Sequence, residues 1–192
     1  MYTRHMITIE TFRTHRHSRS SIIDDPDILS IRRGYRVRLH GDQHAKRWEI
    51  WRSINIARLH ALDYQSTQRL VFTGNSALLL QGIPTWSANS CVEAWPSQSR
   101  LHVRPYPAVH HRQTVVPSIP VVSRNTPPHN VVQINGLEAE SPVEAVVRLA
   151  LNDQPRDAFV AACMTMHALS HFDRFNLEES RLQCARVRRD ML

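Results

Sequence analysis

The stretch that decides the fold is Leu70–Pro84, LVFTGNSALLLQGIP. Leu70–Phe72 is a short apolar run, which is typical of a buried strand. Thr73 or Asn75 can cap the helix that follows, and Gly82–Pro84 ends it because glycine and proline do not continue a helix. The stretch therefore predicts a strand, a cap and a helix.

A second helix start lies downstream, at Ser141-Pro142-Val143-Glu144. Serine at the N-cap, proline at the first helical position and glutamate at the third predict a capping box. Glu144 and Arg148 support the same helix as an ion pair four residues apart. We expect the apolar residues of 143–151 to surround Leu149 and to make this helix a core element.

Upstream of the opening stretch, two apolar runs predict a basic β-hairpin. Ile28–Ile31 and Tyr35–Leu39 alternate around Arg32-Arg33-Gly34, as paired strands do around a tight turn. Ser18 can cap a short helix through Ile23, which Asp24-Asp25-Pro26 then ends. A basic hairpin after a short helix is the arrangement of a wing after a recognition helix.

The remaining pattern completes an α+β fold. A helix is predicted over 44–63, with Ile50, Ile54, Ala57 and Ala61 on one face and Lys46, Arg47, Arg52 and Arg58 over much of the remainder. Strands are predicted at 91–95, 101–104, 114–122 and 131–137, with Pro117 and Pro120 favouring a sheet edge. Further helices are predicted from Pro155 to about residue 171 and from Asn176 to 189. We predict a small, reduced winged-helix-like basic module over 1–40, and over 41–192 a mixed antiparallel-sheet and helix core with C-terminal helices.

Composition favours a folded protein with a polyanionic partner. The formal net charge is +7, and Lys46 is the only lysine among 24 lysines and arginines. Arginine binds phosphates and guanine edges better than lysine does, although codon use in a GC-rich genome produces the same bias. The three cysteines have unrelated spacings, no apolar run is long enough to cross a membrane, and the N-terminus does not resemble a secretory signal. We expect a cytoplasmic protein.

Basic and hydroxyl side chains around the short helix and the hairpin are the candidate DNA-binding residues. A recognition helix places such side chains at base edges, while a wing contacts phosphates. A solvated basic surface would need the same residue types. The candidates are Arg16, Arg19, Ser20, Ser21, Arg32, Arg33, Arg36 and Arg38.

One further cluster has metal-ligand chemistry. Cys163, His167 and His171 recur every four residues, so one helix face would carry a thiol and two imidazoles. No nearby residue supplies a fourth ligand, and a small cysteine beside two histidines at a helix end is the simpler explanation. We assign no metal and no cofactor.

The order of four segments resembles that of the AbiEi-like antitoxins of type IV abortive-infection toxin–antitoxin systems. The segments are Arg32–Val37, Thr73–Pro84, Val131–Leu137 and Glu140–Ala150. The resemblance implies a winged helix that binds the region upstream of its own operon, and a core that counters a nucleotidyltransferase-like toxin. Many relatives continue into a nuclease-like domain, which we expect this chain to lack.

Two functions follow, and neither is catalytic. In the relatives, the nuclease-like domain pairs an acid with a Glu-x-Lys motif, whereas Lys46 is preceded by His44 at that spacing. No glycine-rich phosphate loop and no recognisable nucleophile is present. The first expectation is a DNA-binding transcriptional autoregulator and antitoxin. The alternative is a non-catalytic interaction module, or a truncated remnant of a nuclease fusion, without independent DNA binding.

Overall fold

The fold is α+β, as predicted. The computed structural model describes residues 8–13, 27–40, 45–86, 90–170 and 175–190, and for 8–13 the backbone alone. The strands are β1 (Thr8–Arg13), β2 (Ile28–Arg32), β3 (Tyr35–His40), β4 (Leu70–Phe72), β5 (Val92–Pro96), β6 (Val109–His111), β7 (Thr114–Val116), β8 (Val121–Ser123), β9 (Val131–Ile134) and β10 (Leu137–Glu140). The helices are α1 (Arg47–Gln65), α2 (Gly74–Leu80), α3 (Pro142–Asn152), α4 (Pro155–Leu169) and α5 (Leu177–Asp190).

Contacts divide the chain into two compact units, Met1–Thr67 with His102–Val121, and Gln68–Leu101 with Val122–Leu192. The predicted boundary between residues 40 and 41 stays a prediction, although α1 packs on the strands that precede it. The short helix expected at 18–23 lies outside the described residues, so the winged-helix module also stays a prediction. Its hairpin, β2 and β3, is confirmed.

The first unit is built around a three-stranded antiparallel sheet in the order β1-β3-β2. One face of the hairpin is apolar, and α1 packs against both of its strands. The predicted apolar stripe of α1 is buried, because a side chain recurs on the same helix face every three to four residues. The buried residues of the two elements are Leu29, Ile31, Tyr35, Val37, Leu39, Ile50, Ile54, Ala57 and Ala61.

The second unit contains a five-stranded mixed sheet in the order β8-β5-β4-β10-β9. The predicted strand β4 is central and fully buried, antiparallel to β5 and parallel to β10. Helix α2 packs on β5, β10 and α3, and the contacts continue from α3 to α4 and from α4 to α5. The opening stretch therefore forms the centre of this unit.

The helix predicted at Ser141 is confirmed, but its capping box is only half formed. The Ser141 hydroxyl accepts a hydrogen bond from the Glu144 amide at 3.3 Å. The Glu144 carboxylate instead accepts from the amides of His129 and Asn130, at 2.8 and 2.9 Å. A carboxylate accepts from the amides that tertiary packing places within reach. Here these amides belong to the loop before β9.

The core face of α3 is narrower than predicted. Ala145, Val146 and Leu149 are buried, whereas Val147 and Leu151 are exposed by 43% and 79%. The main contacts of α3 are with α2 and α4, and the three buried residues lie within 145–149. Leu149 is confirmed as a core residue.

Two strand predictions are wrong in their bounds. Residues 131–137 do not form one strand but open the β9–β10 hairpin, whose turn residues Asn135 and Gly136 have positive φ of 51° and 82°. An Asn-Gly pair favours such turns, so the sequence carried this signal. The strand predicted at 114–122 is divided into β7 and β8 by a segment with Pro117 and Pro120, and both strands lie at sheet edges, as the prolines favour.

Leu101–Arg104 is not a strand. The strand β1, by contrast, was not predicted.

None of the helices in the described ranges combines the length and apolarity required to span a bilayer.

Candidate nucleic-acid interface

The outer face of the β2–β3 hairpin carries two of the candidate arginines. Arg36 and Arg38 alternate along β3 with the buried side chains of Tyr35, Val37 and Leu39. Because successive side chains of a strand point to opposite faces, both arginines lie on the face away from the apolar core. The structure therefore brings Arg36 and Arg38 together, two residues apart on a central strand.

The hairpin turn adds a third arginine. Arg33 is exposed in the two-residue connection between β2 and β3, where Gly34 has a positive φ of 81°. The side-chain amide of Gln65, at the end of α1, donates to the Arg33 carbonyl at 3.0 Å. The backbone that presents Arg33 is thereby attached to a long helix. Burial is low at the turn, so its guanidinium is accessible to solvent.

Arg32 occupies a different environment from the other hairpin arginines. Its guanidinium lies 5.1 Å from the centroid of the Tyr106 ring, and Nη2 donates to the Arg104 carbonyl at 3.4 Å. Its Nη1 is buried without a hydrogen-bond partner among the described residues. Arg32 is thus packed within its own unit, and it does not share the outer face with Arg36 and Arg38. The candidates Arg16, Arg19, Ser20 and Ser21 lie outside the described residues.

A buried arginine fixes the support behind the hairpin. Arg58 of α1 has no solvent exposure, and its guanidinium donates to Asn55 Oδ1 at 3.0 Å and to the carbonyls of Pro107 and Pro117 at 2.7 and 2.8 Å. In return, the Tyr106 hydroxyl donates to the Arg58 carbonyl at 2.8 Å. Burial lowers the pKa of Arg58 to about 10. Arg58 therefore remains charged at neutral pH and ties residues 106–117 to α1.

The prediction that Arg58 belongs to the solvated side of α1 is wrong. Its position four residues after Ile54 places it over the buried stripe, and this spacing was the available signal. Arg58 was assigned to the polar side of α1 because arginine is rarely fully buried, although its spacing from Ile54 indicated the buried side.

The second unit holds two buried carboxylates at the start of α2. The Gly74 amide donates to Glu140, and the Asn75 amide donates to Glu93 at 3.0 Å. Both glutamates are almost completely withdrawn from solvent, and Thr73, at the N-cap, makes no side-chain cap bond. The helix start was predicted correctly, but the carboxylates of neighbouring strands replace the expected local cap.

Each of these carboxylates also has an arginine partner. Arg148 Nε donates to Glu140 at 2.8 Å, and Arg124 Nε donates to Glu93 at 3.1 Å. Burial nevertheless raises the pKa of Glu140, since desolvation outweighs Arg148 and the Gly74 amide. Gly74 has a φ of 52°, and a side chain there would collide with the Glu93 carboxylate. All four carboxylate oxygens of Glu93 and Glu140 therefore accept hydrogen bonds, and these bonds hold the junction of β4 and α2 together.

The remaining carboxylates of this region have partners too. Glu138 pairs with Arg69 at 2.5 Å, and Glu144 binds two loop amides. Among the described residues, no group of three His, Cys, Asp or Glu side chains is placed to hold a metal ion. Cys163 and His167 are both exposed on α4, and His171 lies outside the described residues.

Comparison with known proteins does not narrow the choice of function for this chain. No protein-family model, no curated protein and no solved structure matches the chain significantly. Function is therefore inferred from the residues and their geometry.

Proposed function

We propose that this protein is a DNA-binding transcriptional autoregulator of antitoxin type, which binds duplex DNA upstream of its own operon. The observation that carries the proposal is the β2–β3 hairpin, which presents the exposed Arg33 at its turn and Arg36 on the face away from the apolar core. Arginine contacts to phosphates position a protein on the duplex. The net charge of +7 supports the same class of partner.

The antitoxin part of the proposal rests on sequence. The order of the hairpin, the Thr73–Pro84 stretch and the Ser141 helix is similar to that of the AbiEi-like antitoxins. On that similarity, a nucleotidyltransferase-like toxin is the proposed protein partner. The cysteines Cys91, Cys163 and Cys184 form no disulfides, which is compatible with action in the cytoplasm.

We further propose that the protein is not an enzyme. Metal-assisted phosphodiester cleavage needs carboxylates that are available to a metal. Glu93, Glu140 and Glu144 instead accept hydrogen bonds from backbone amides and arginines. Burial also raises the pKa of the Cys91 thiol to about 11, which suppresses the thiolate that a nucleophile requires.

The test is the salt dependence of duplex binding by the full chain. Binding of the upstream region is measured by fluorescence anisotropy between about 50 and 300 mM KCl, where phosphate contacts dominate the salt slope. Replacing Arg33 and Arg36 together by alanine removes two phosphate contacts. We expect the slope of log K against log salt to fall by about 2 in magnitude.

The matched control replaces Arg181 and Arg186, two exposed arginines of α5, by alanine. This variant changes the net charge by the same amount and should leave the slope unchanged. An equal loss in both variants would show that overall charge, not the hairpin, binds DNA. The parent protein failing to bind at the lowest salt would refute the proposal.

The second candidate function is a non-catalytic interaction module. Three large exposed apolar side chains favour it, one on each of α3, α4 and α5, helices that contact one another in sequence; contiguous exposed apolar surface is typical of protein interfaces. These are Leu151, Phe159 and Leu182, exposed by 79%, 68% and 68%. The packed position of Arg32 favours it as well, because it removes one expected phosphate contact. Absence of duplex binding together with capture of a toxin would support this function.

A further inference from the structure

The first turn of α1 presents a tryptophan and two cations to solvent. Trp48 is exposed by 59%, and Lys46 and Arg47 beside it are exposed as well. A large aromatic ring at this exposure stabilises the fold little, because most of its surface stays in water. The ring is therefore available for another molecule.

A second tryptophan orders this surface. The Arg47 guanidinium lies 5.2 Å from the centroid of the Trp51 ring, four residues further along the helix. Trp48 and Trp51 are three residues apart and so are neighbours on the helix surface. The cation–π contact places the Arg47 guanidinium over Trp51, the helix-surface neighbour of Trp48. We call Lys46, Arg47, Trp48 and Trp51 the α1 platform.

The charge of the α1 platform selects an anionic partner. The acidic residue of the first turn is Glu49, and its carboxylate already accepts the Lys46 amide at 2.7 Å. Two cations therefore face solvent against one hydrogen-bonded carboxylate. The first-turn amides add the partial positive charge of a helix N-terminus.

We propose that the α1 platform binds single-stranded DNA, with an unpaired base stacked on Trp48 and the flanking phosphates on Lys46 and Arg47. Aromatic rings beside basic side chains bind single strands in this way, because every base offers a face for stacking. Because the proposed function gives the protein a DNA partner, we assign the single strand to DNA; a ribonucleotide strand offers the same bases for stacking and is included in the test. This contact goes beyond duplex binding by the hairpin and uses none of its arginines.

The experiment measures binding of a labelled oligodeoxythymidine to the full chain by anisotropy, with tryptophan fluorescence recorded in parallel. Trp48→Ala should weaken binding about 5- to 140-fold, the range found when a base-stacking aromatic is removed. Trp48→Phe should retain most of the affinity, because a smaller ring still stacks. Quenching of tryptophan fluorescence by the oligonucleotide should be lost with Trp48→Ala.

Trp86→Ala is the matched control. Trp86 is exposed by 57% and has the Arg156 guanidinium 3.9 Å from its ring centroid, so it offers similar chemistry at another place. Its replacement should leave the affinity within about two-fold. Should Trp48→Ala fail to fold, the double variant Lys46→Ala/Arg47→Ala replaces it, and the salt slope should then fall by about 1.4 in magnitude.

Several results would overturn the proposal. These are no binding by the parent protein, equal losses for Trp48→Ala and Trp86→Ala, or equal binding of a polyglutamate peptide, which would show attraction by charge alone. An oligoribonucleotide that binds ten-fold more tightly would refute the assignment to DNA. Duplex binding that persists and depends on Arg33 and Arg36 would leave the proposed function standing whatever the α1 platform does.

Discussion

Arg58 in the first unit and Arg148 in the second are both withdrawn from water, but they are held by opposite means. The Arg148 side chain, 10% exposed, pairs with the fully buried carboxylate of Glu140 at 2.8 Å. The fully buried Arg58 has only neutral acceptors among its described hydrogen bonds, two of them the backbone carbonyls of Pro107 and Pro117. The Arg148 charge is neutralised by a carboxylate, whereas the Arg58 charge is stabilised by neutral acceptors and by the Tyr106 ring, whose centroid lies 5.9 Å from Arg58 Cζ.

The difference shows what each arginine organises. One carboxylate oxygen of Glu140 accepts from Arg148 and the other accepts from the Gly74 amide. The ion pair therefore also fixes the start of α2. Arg58 donates to the carbonyls of Pro107 and Pro117, which flank β6 and β7, so it fixes both ends of the β6–β7 hairpin. The carboxylate partner of Arg148 thus anchors a helix start, whereas the two carbonyl partners of Arg58 tie the ends of a hairpin to α1.

The largest expected effect comes from breaking the neutralised pair. Glu140→Ala leaves Arg148 without its main partner and leaves the Gly74 amide without an acceptor. We expect the free energy of unfolding to fall by about 3–5 kcal/mol, the usual result when one member of a buried pair is removed. Urea denaturation of the full chain, followed by circular dichroism, measures the loss.

Glu138→Ala is the matched control, because Glu138 pairs with Arg69, whose side chain is 57% exposed. A surface pair of this kind contributes no more than about 1 kcal/mol. The double variant Glu140→Met/Arg148→Leu should be more stable than Glu140→Ala, because no buried charge is then left alone. Equal stability of the two variants would show that the pair does not act as a unit.

The second prediction concerns Leu149, a buried apolar side chain of α3 that lies beside Gly74. Leu149 is 2% exposed, and its Cδ2 would lie only 3.3 Å from a Cβ at Gly74. Leu149→Ala should lower the free energy of unfolding by about 2–5 kcal/mol, through lost burial and the cavity left behind. Leu151→Ala, on the same helix but 79% exposed, should change it by less than about 0.5 kcal/mol. Similar midpoints for both variants in denaturant would exclude α3 from the core.

The third prediction concerns Arg58, whose described hydrogen-bond acceptors include no carboxylate. Arg58→Met removes a costly buried charge but leaves the carbonyls of Pro107 and Pro117 without a donor. The two effects oppose each other, so we expect a smaller net loss of about 2–3 kcal/mol. Arg58→Lys should not restore stability, because one ammonium group lacks the planar fork that reaches several acceptors.

Amide hydrogen exchange distinguishes this local role from a general loss of stability. In Arg58→Met, exchange at Tyr106 and Ile119, whose amides and carbonyls pair with each other, should accelerate more than exchange in β4. Uniform acceleration would contradict the assignment of Arg58 to residues 106–117. Arg47→Met, an exposed change on the same helix, serves as the control.

Elements whose signals are local could be predicted from the sequence. The hairpin around Arg33, the strand at Leu70, the helix after Ser141 and the amphipathic α1 all follow from apolar spacing and turn chemistry. These signals act within a few residues, so they do not depend on how the chain folds back on itself. The same local signals place Arg33, Arg36 and Arg38 on a basic hairpin.

The environment of each charged side chain was decided only by tertiary structure. The Glu144 carboxylate binds loop amides instead of its own helix start, Thr73 gives way to Glu140 and Glu93 as the cap of α2, and Arg32 packs on Tyr106. Each of these contacts joins residues that are distant in sequence. A long polar side chain can reach several partners, and the packing of the elements determines which partner it contacts. The sequence by itself determined where most of the strands and helices form, and the packing of those elements determined which arginines are buried, as Arg58 is, and which are exposed, as Arg33 is.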